Sequence, residues 1–205
     1  AALTYGCVVE ELQALEMPYF MALLLKTNAL ETRSGGTGPG EGFPTPLILD
    51  GLYRFFDANA LYYPQIYEGN VDVTILDQPY PSPLVCLAAP DLRTHNVSRY
   101  DPKVVGDLFN TFLANFELIR KFQETKGADA PTIVDAVKVG GGAFKNDETL
   151  IYCMQKLAAM HAGIPKVRLH KMENIAKAEQ LFAKVQKKMR PDATIAEWLA
   201  AFSDQ

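Results

Sequence analysis

The chain has 205 residues, 48% hydrophobic and 21% charged, a composition typical of a globular protein and not of collagen, a coiled coil or a disordered segment. Its formal net charge of −4 leaves no basic surplus for a phosphate backbone, which excludes a nucleic-acid polymer as the main partner. The longest apolar runs, 19–25 and 84–89, are much shorter than the roughly 18 residues that a membrane span needs. We therefore expect small ligands or proteins as partners, and no membrane.

The three cysteines, Cys7, Cys86 and Cys153, are widely spaced and lie among apolar neighbours. This pattern favours buried, reduced thiols of an intracellular protein over a disulfide framework, and no Cys/His spacing predicts a metal site. The sequence begins Ala-Ala-Leu-Thr, without a visible targeting signal. We expect residues 1–205 to form a single domain that is a fragment of a longer chain.

Hydrophobic periodicity, caps and breakers predict alternating helices and strands. An interrupted helix over 8–25 is followed by a Gly- and Pro-rich loop over 28–46 and by a helix over 47–56. The next predicted elements are a strand over 71–76 ended by prolines, a buried strand over 84–89, a helix from 101, a strand over 132–139, a helix over 147–162, a strand over 166–170, and helices over 175–189 and 194–202. The alternation predicts a layered α/β architecture with a mixed, mostly parallel sheet, on which the helices of 171–205 pack.

Three of these helices begin with capping signals. Asp101 stands directly before a proline, as an N-cap does before Pro at the first helical position. Asn146 or Asp147 precedes the helix that ends near residue 162, and Thr194 and Glu197 have the spacing of a capping box. The sequence therefore predicts where these helices start.

The most informative motif is Gly140-Gly141-Gly142-Ala143-Phe144, between a predicted strand and a predicted helix N-terminus. Adjacent glycines remove side chains from one surface, so backbone N–H groups can approach an anion at the positive end of the helix dipole. Phe144 would then stack on a sugar or base lying across that surface. The alternative is a tight strand-to-helix turn in which one glycine needs positive φ.

In order and character these residues resemble the macro-domain superfamily, especially its poly(ADP-ribose)-glycohydrolase-like branch and related bacterial effector hydrolases. The resemblance covers roughly Asn28 to Leu169 and includes two Gly-rich loops and a strand that ends in Ala-Pro-Asp at 89–91. It implies a three-layer α/β/α macro-like fold that binds ADP-ribose without a cofactor or metal. The ligand-binding residues that it implies are Asn28, Gly36, Gly38, Gly140, Gly141, Gly142, Ala143, Phe144 and Asn146.

The sequence leaves several candidates for the catalytic residue. The glycohydrolase branch usually places Gln-Glu-Glu after the first Gly-rich loop, where this sequence reads Pro-Thr-Pro-Leu and offers only Glu41 nearby. Asp91 follows a predicted buried strand, at the sheet edge where ligands of α/β proteins bind, and could activate water against the anomeric carbon of the distal ribose. The alternatives are a local turn role for Asp91, an N-cap for Asp101 and a solvated loop acid for Glu41. We expect the catalytic carboxylate among these three.

The function implied by the resemblance is hydrolysis of ADP-ribose from a modified protein. A non-enzymatic ADP-ribose reader, and a structural or protein-interaction domain whose glycines only make turns, remain alternatives. The expected partner is ADP-ribose or an ADP-ribosylated protein. We expect a cytoplasmic monomer, or delivery into a host cytosol if the protein is an effector.

Overall fold

The computed structural model describes residues 46–58, 73–81, 83–87, 89–93, 97–127, 133–141, 144–169 and 173–205. The chain divides into two compact units, whose described parts lie within 48–86 and within 46–47 plus 87–205. The elements in chain order are β1 (Leu47–Leu49), β2 (Tyr53–Ala58), β3 (Val73–Pro81), β4 (Leu84–Cys86), α1 (Pro102–Lys126), β5 (Val134–Ala136), α2 (Glu148–Ala162), β6 (Val167–Leu169), α3 (Ile175–Gln186) and α4 (Ile195–Ser203). The described chain is therefore mixed α/β. The predicted helix over 8–25 lies outside the described residues.

The predicted helix over 47–56 is wrong, because this segment forms β1 and the start of β2. Gly51 separates the two strands with a φ of 73°, a conformation that favours glycine. The β2 sequence, Tyr-Arg-Phe-Phe-Asp-Ala, is rich in aromatic residues, which pack well on a pleated surface. Pairing with a distant strand therefore overrides the local helical spacing.

The partner of β2 is β3, which is antiparallel and longer than predicted. Ala58 lies opposite Val73 and Tyr53 opposite Pro81, so β3 continues through the prolines that were expected to end it. The register shifts between Arg54 and Phe56, and Pro79 falls in the part of β3 that faces this irregularity. A bulge is one of the few positions where a strand tolerates proline, because no ladder hydrogen bond is needed there.

The core of the second unit is formed by the facing sides of α1 and α2. Asp101 caps α1, accepting a hydrogen bond of 2.9 Å from the Lys103 N–H, as predicted. Gly163 ends α2 with a φ of 72° in the left-handed region. The largest side chains buried between and beside these helices are Leu108, Phe109, Phe112, Phe116, Leu150, Ile151, Met154 and Leu157. Each such side chain contributes roughly 1.5–3 kcal/mol through burial of apolar surface.

Strands β5 and β6 form a parallel pair in which Asp135 lies opposite Arg168. Their side chains make a two-pronged ion pair of 2.8 Å on the exposed surface. Among the described residues the strands form three two-stranded sheets, β1 with β4, β2 with β3 and β5 with β6. Helix α1 precedes β5, and helix α2 connects β5 to β6, as expected for parallel strands joined by an α/β connection.

The two closing helices pack through an aromatic cluster. Phe182 of α3 stacks on Trp198 of α4 with 5.8 Å between ring centroids, and Phe202 completes the cluster at 6.0 Å from Phe182. The predicted capping box of α4 is confirmed, because Thr194 and Glu197 exchange hydrogen bonds between side chain and backbone. Helix α3 ends at Gln186, three residues earlier than predicted.

No helix of the described segments is long and apolar enough to cross a membrane. Cys153 lies fully buried in α2 as a free thiol, and burial raises its pKa to about 12. Cys7 lies outside the described residues. The buried, reduced state predicted for the cysteines is thus observed at Cys153.

Candidate functional site

A tight turn leads from β5 toward α2. We call residues 137–147 the Gly140 loop, of which 137–141 and 144–147 are described. Gly140 has a φ of 76°, and a Cβ at this position would lie 2.5 Å from the Ala89 Cβ. Both constraints require glycine. The Gly141 N–H donates to the Lys138 carbonyl oxygen at 2.9 Å, so this amide is already used within the turn.

A second loop, residues 89–93, lies against the Gly140 loop, and we call it the Pro90 loop. The Asn146 side-chain amide donates to the Pro90 carbonyl oxygen at 2.7 Å and to the Gly140 carbonyl oxygen at 3.2 Å. The Leu92 N–H donates to the Phe144 carbonyl oxygen at 3.0 Å. Asn146 is buried, and its Oδ1 has no hydrogen-bond partner among the described residues. These hydrogen bonds hold the Pro90 loop against the Gly140 loop.

An acidic, a basic and an aromatic side chain meet where the two loops join. Both carboxylate oxygens of Asp91 accept hydrogen bonds from the Arg93 guanidinium, at 2.6 to 3.0 Å. The Arg93 backbone N–H also donates to Asp91 at 3.0 Å. The guanidinium carbon lies 5.1 Å from the centre of the Phe144 ring, within cation–π range. The hydrogen bonds to Asp91 and its charge raise the pKa of Arg93, so the guanidinium stays protonated.

The N-terminus of α2 is already supplied with negative charge. Asp147 caps the helix, accepting from the Leu150 N–H at 3.0 Å, and the Tyr100 hydroxyl donates to the same carboxylate at 3.3 Å. Glu148 stands in the first turn and forms an ion pair with Lys138. Because these carboxylates compensate the positive end of the helix dipole, the attraction of a further anion to this helix end is reduced.

The structure brings five of the sequence-predicted site residues together. Asp91, Gly140, Gly141, Phe144 and Asn146 all belong to the joined loops. Asp101 is at the start of α1, where its carboxylate serves as the N-cap. Six predicted residues lie outside the described part of the chain, namely Asn28, Gly36, Gly38, Glu41, Gly142 and Ala143.

Arg93 is the residue of this site that sequence reasoning missed. An Asp-x-Arg spacing within a loop was the available signal, but such spacing is common in turns. The importance of Arg93 depends on its contact with Phe144, which lies 51 positions later in the sequence. The fold brings the two residues together.

A groove of about 400 Å³ lies at the C-terminal end of α2 and is lined by Leu157, Met160, His161, Met189, Arg190 and Trp198, among others. It contains none of the predicted site residues. Of its lining residues, Arg190 pairs with Glu197, and the His161 ring contacts the edge of Phe109. Among the described residues no group of three or more His, Cys, Asp or Glu side chains could hold a metal ion.

No protein-family model matches this sequence, and comparison with curated proteins finds no significant match. The arguments on function therefore rest on the residues and on the geometry of the two loops.

Proposed function

We propose that this chain binds ADP-ribose at the joined Pro90 and Gly140 loops, and that it hydrolyses ADP-ribose from a modified protein. The three-layer macro-like fold is part of this proposal, with the parallel pair β5–β6 inside its sheet. The observation that carries it is the contact between two motifs selected separately in the sequence. Asp91 and the Gly140–Phe144 motif lie in loops joined by hydrogen bonds of 2.7 and 3.0 Å.

Each part of the site has a chemical role in this proposal. In this proposal the diphosphate and the distal ribose lie against the Gly140 loop. Arg93 covers one face of the Phe144 ring, so the sugar packs against the remaining ring surface. A carboxylate, for which Asp91 is the candidate, positions a water for attack on the anomeric carbon.

The ion pair between Asp91 and Arg93 favours a second candidate function, the non-enzymatic reader. Both oxygens of Asp91 accept hydrogen bonds from Arg93, and a carboxylate whose oxygens are already engaged in this way is poorly placed to act as a general base. A reader keeps the binding surface and needs no free carboxylate. The two functions therefore differ in what Asp91 does.

The test is release of ADP-ribose from a mono-ADP-ribosylated protein, measured beside ADP-ribose affinity by calorimetry. If Asp91 is the general base, Asp91→Asn lowers turnover by about a hundred- to ten-thousandfold and leaves affinity much less changed. Binding without turnover in the parent chain supports the reader. Absence of both binding and turnover in the folded chain contradicts the ADP-ribose proposal and leaves the structural or protein-interaction role.

Two matched variants separate the other candidate carboxylates. Asp101→Asn keeps a good N-cap, because Asn and Asp cap helices about equally well, so lost turnover at unchanged stability would assign catalysis to Asp101. Glu41→Gln makes the same comparison for the acid of the first Gly-rich loop. Unchanged turnover in both variants is expected if Asp91 is the reacting group.

A further inference from the structure

The guanidinium of Arg93 has one occupied edge and one open edge. Its Nε and Nη2 atoms donate to the Asp91 carboxylate at 2.6 to 3.0 Å. Its Nη1 atom has no hydrogen-bond partner among the described residues, and 52% of the side chain is exposed to solvent. An arginine has five N–H donors in a rigid planar fork. The Nη1 and Nη2 edge therefore keeps donors for a second oxyanion.

The plane of this guanidinium is fixed before any ligand arrives. Phe144 lies beneath it at 5.1 Å, and Asp91 holds the opposite edge. Phe144 is anchored in turn by the hydrogen bond from the Leu92 N–H to its carbonyl oxygen. A donor group that is already oriented loses little conformational entropy when it binds, which increases affinity.

Backbone amides near Arg93 are less available than the glycine motif suggests. The Gly141 N–H donates to Lys138, the Asn146 N–H to Gly140 and the Leu92 N–H to Phe144. The N-terminus of α2 carries Asp147 and Glu148, whose negative charge reduces the attraction of this helix end for a further anion. With these three amides engaged, a side-chain donor gains importance for holding a phosphate at this site.

We propose that Arg93 is the phosphate-recognising residue of this site, binding an oxyanion of the ligand through its Nη1 and Nη2 edge. Asp91 and Phe144 act as positioning residues that orient the guanidinium. The ligand class is a phosphate or diphosphate ester, for which arginine offers paired, charge-assisted hydrogen bonds. This inference rests on the proposed ADP-ribose binding and names the group that recognises the diphosphate.

The experiment is a calorimetric titration with two probes, ADP-ribose and inorganic pyrophosphate. Arg93→Ala should weaken binding of both probes by about tenfold to a hundredfold, the effect of losing charge-assisted hydrogen bonds. Arg93→Lys should lose most of the same affinity although it keeps the positive charge, because an ammonium lacks the planar fork. A loss of net charge would not produce this second result, and a weakened affinity at an unchanged melting temperature of Arg93→Lys would exclude a merely structural role.

Arg120→Ala is the matched control, since Arg120 is a half-exposed arginine on α1 that pairs with Glu124. It removes the same charge elsewhere and should leave both affinities unchanged. Melting temperatures of all three variants show whether the fold is intact, and Arg93→Lys remains informative if Arg93→Ala is unstable.

The outcomes separate this inference from the proposed function. Equal ADP-ribose binding by the parent chain and Arg93→Ala overturns the inference and leaves the proposed function in place. Arg93-dependent binding of pyrophosphate without binding of ADP-ribose supports the inference and overturns the proposed ligand. Binding of neither probe by the parent chain overturns both.

Discussion

The side-chain amide of Asn146 lies 2.7 Å from the carbonyl oxygen of Pro90, and this hydrogen bond joins two loops that are 56 residues apart in sequence. The bond is buried, so no solvent replaces it when it is lost. The same amide also reaches the Gly140 carbonyl oxygen at 3.2 Å. Asn146 thus acts as a link between the loops, although the sequence predicted it as a ligand-binding residue.

We expect Asn146→Ala to lower the free energy of unfolding by about 1–3 kcal/mol, because the Pro90 carbonyl oxygen is left buried without a donor. The measurement is denaturant unfolding followed by fluorescence of Trp198, the single tryptophan of the chain, which is buried in the same unit. Asn110→Ala is the control, since Asn110 is exposed on α1 and the substitution should leave stability equal or slightly higher. Equal stability of the two variants would show that the link contributes nothing.

Gly140→Ala should destabilise the protein more than the same change at Gly127. Both glycines have positive φ, 76° and 58°, so both substitutions introduce backbone strain. Only at Gly140 does the added Cβ also overlap Ala89, whereas nothing lies within 4 Å at Gly127. We expect the difference to be about 1–3 kcal/mol, the usual effect of overpacking, measured by the same unfolding experiment.

Gly106 supplies the third member of this comparison. It lies inside α1, without positive φ and with open space where the methyl group of an alanine would lie. Gly106→Ala should therefore stabilise the protein by roughly 0.5–1 kcal/mol through helix propensity. A ranking in which Gly140→Ala is the mildest of the three would contradict the close approach of the two loops.

Helices with local caps were predictable from sequence, and so were the strands with a clear apolar or β-branched run, β3, β4, β5 and β6, whereas β1 and β2 were not. Asp101 and Thr194 begin α1 and α4 as expected, because an N-cap acts within one turn. The segment 47–56 was predicted wrongly as a helix, since its conformation is decided by the pairing of β1 with β4 and of β2 with β3, beyond the reach of local periodicity.

The candidate site, too, was only partly predictable from the sequence. Asp91 and the glycine motif could be selected from their positions after predicted strands, and the fold brings them together. The ion pair of Asp91 with Arg93, and the contact of Arg93 with Phe144, could not be predicted, because both depend on how the two loops approach each other. Sequence thus indicated where the loops meet, but not which donors remain available there.

Cys153 should be almost unreactive toward a thiol-alkylating reagent in the native protein. It is fully buried, and a pKa raised from 9.0 to about 12 reduces its thiolate at neutral pH on the order of a thousandfold. Mass spectrometry of the tryptic peptide 146–156 measures its labelling separately from that of the other cysteines. The same peptide should be labelled fully in denaturant, and rapid labelling in buffer would contradict the packing of α2.

The last prediction concerns the hydrogen bond of 3.3 Å between Tyr100 and Asp147. Burial and the nearby Asp147 charge raise the pKa of Tyr100 from 10.0 to about 12. An unfolded tyrosine loses its proton from about pH 10, whereas the folded one keeps it to about pH 12, so the folded state binds more protons within this window. The stabilisation is therefore complete below pH 10 and is lost as the pH rises toward 12. The free energy of unfolding should fall across this range, and less steeply in Tyr100→Phe.

Tyr152→Phe is the matched variant, because Tyr152 bonds Glu179 at 3.2 Å and has a pKa raised to about 12 as well. Each substitution should remove part of the slope, and near-ultraviolet titration should show one late-titrating tyrosine fewer in each. A slope that neither substitution changes would contradict both hydrogen bonds.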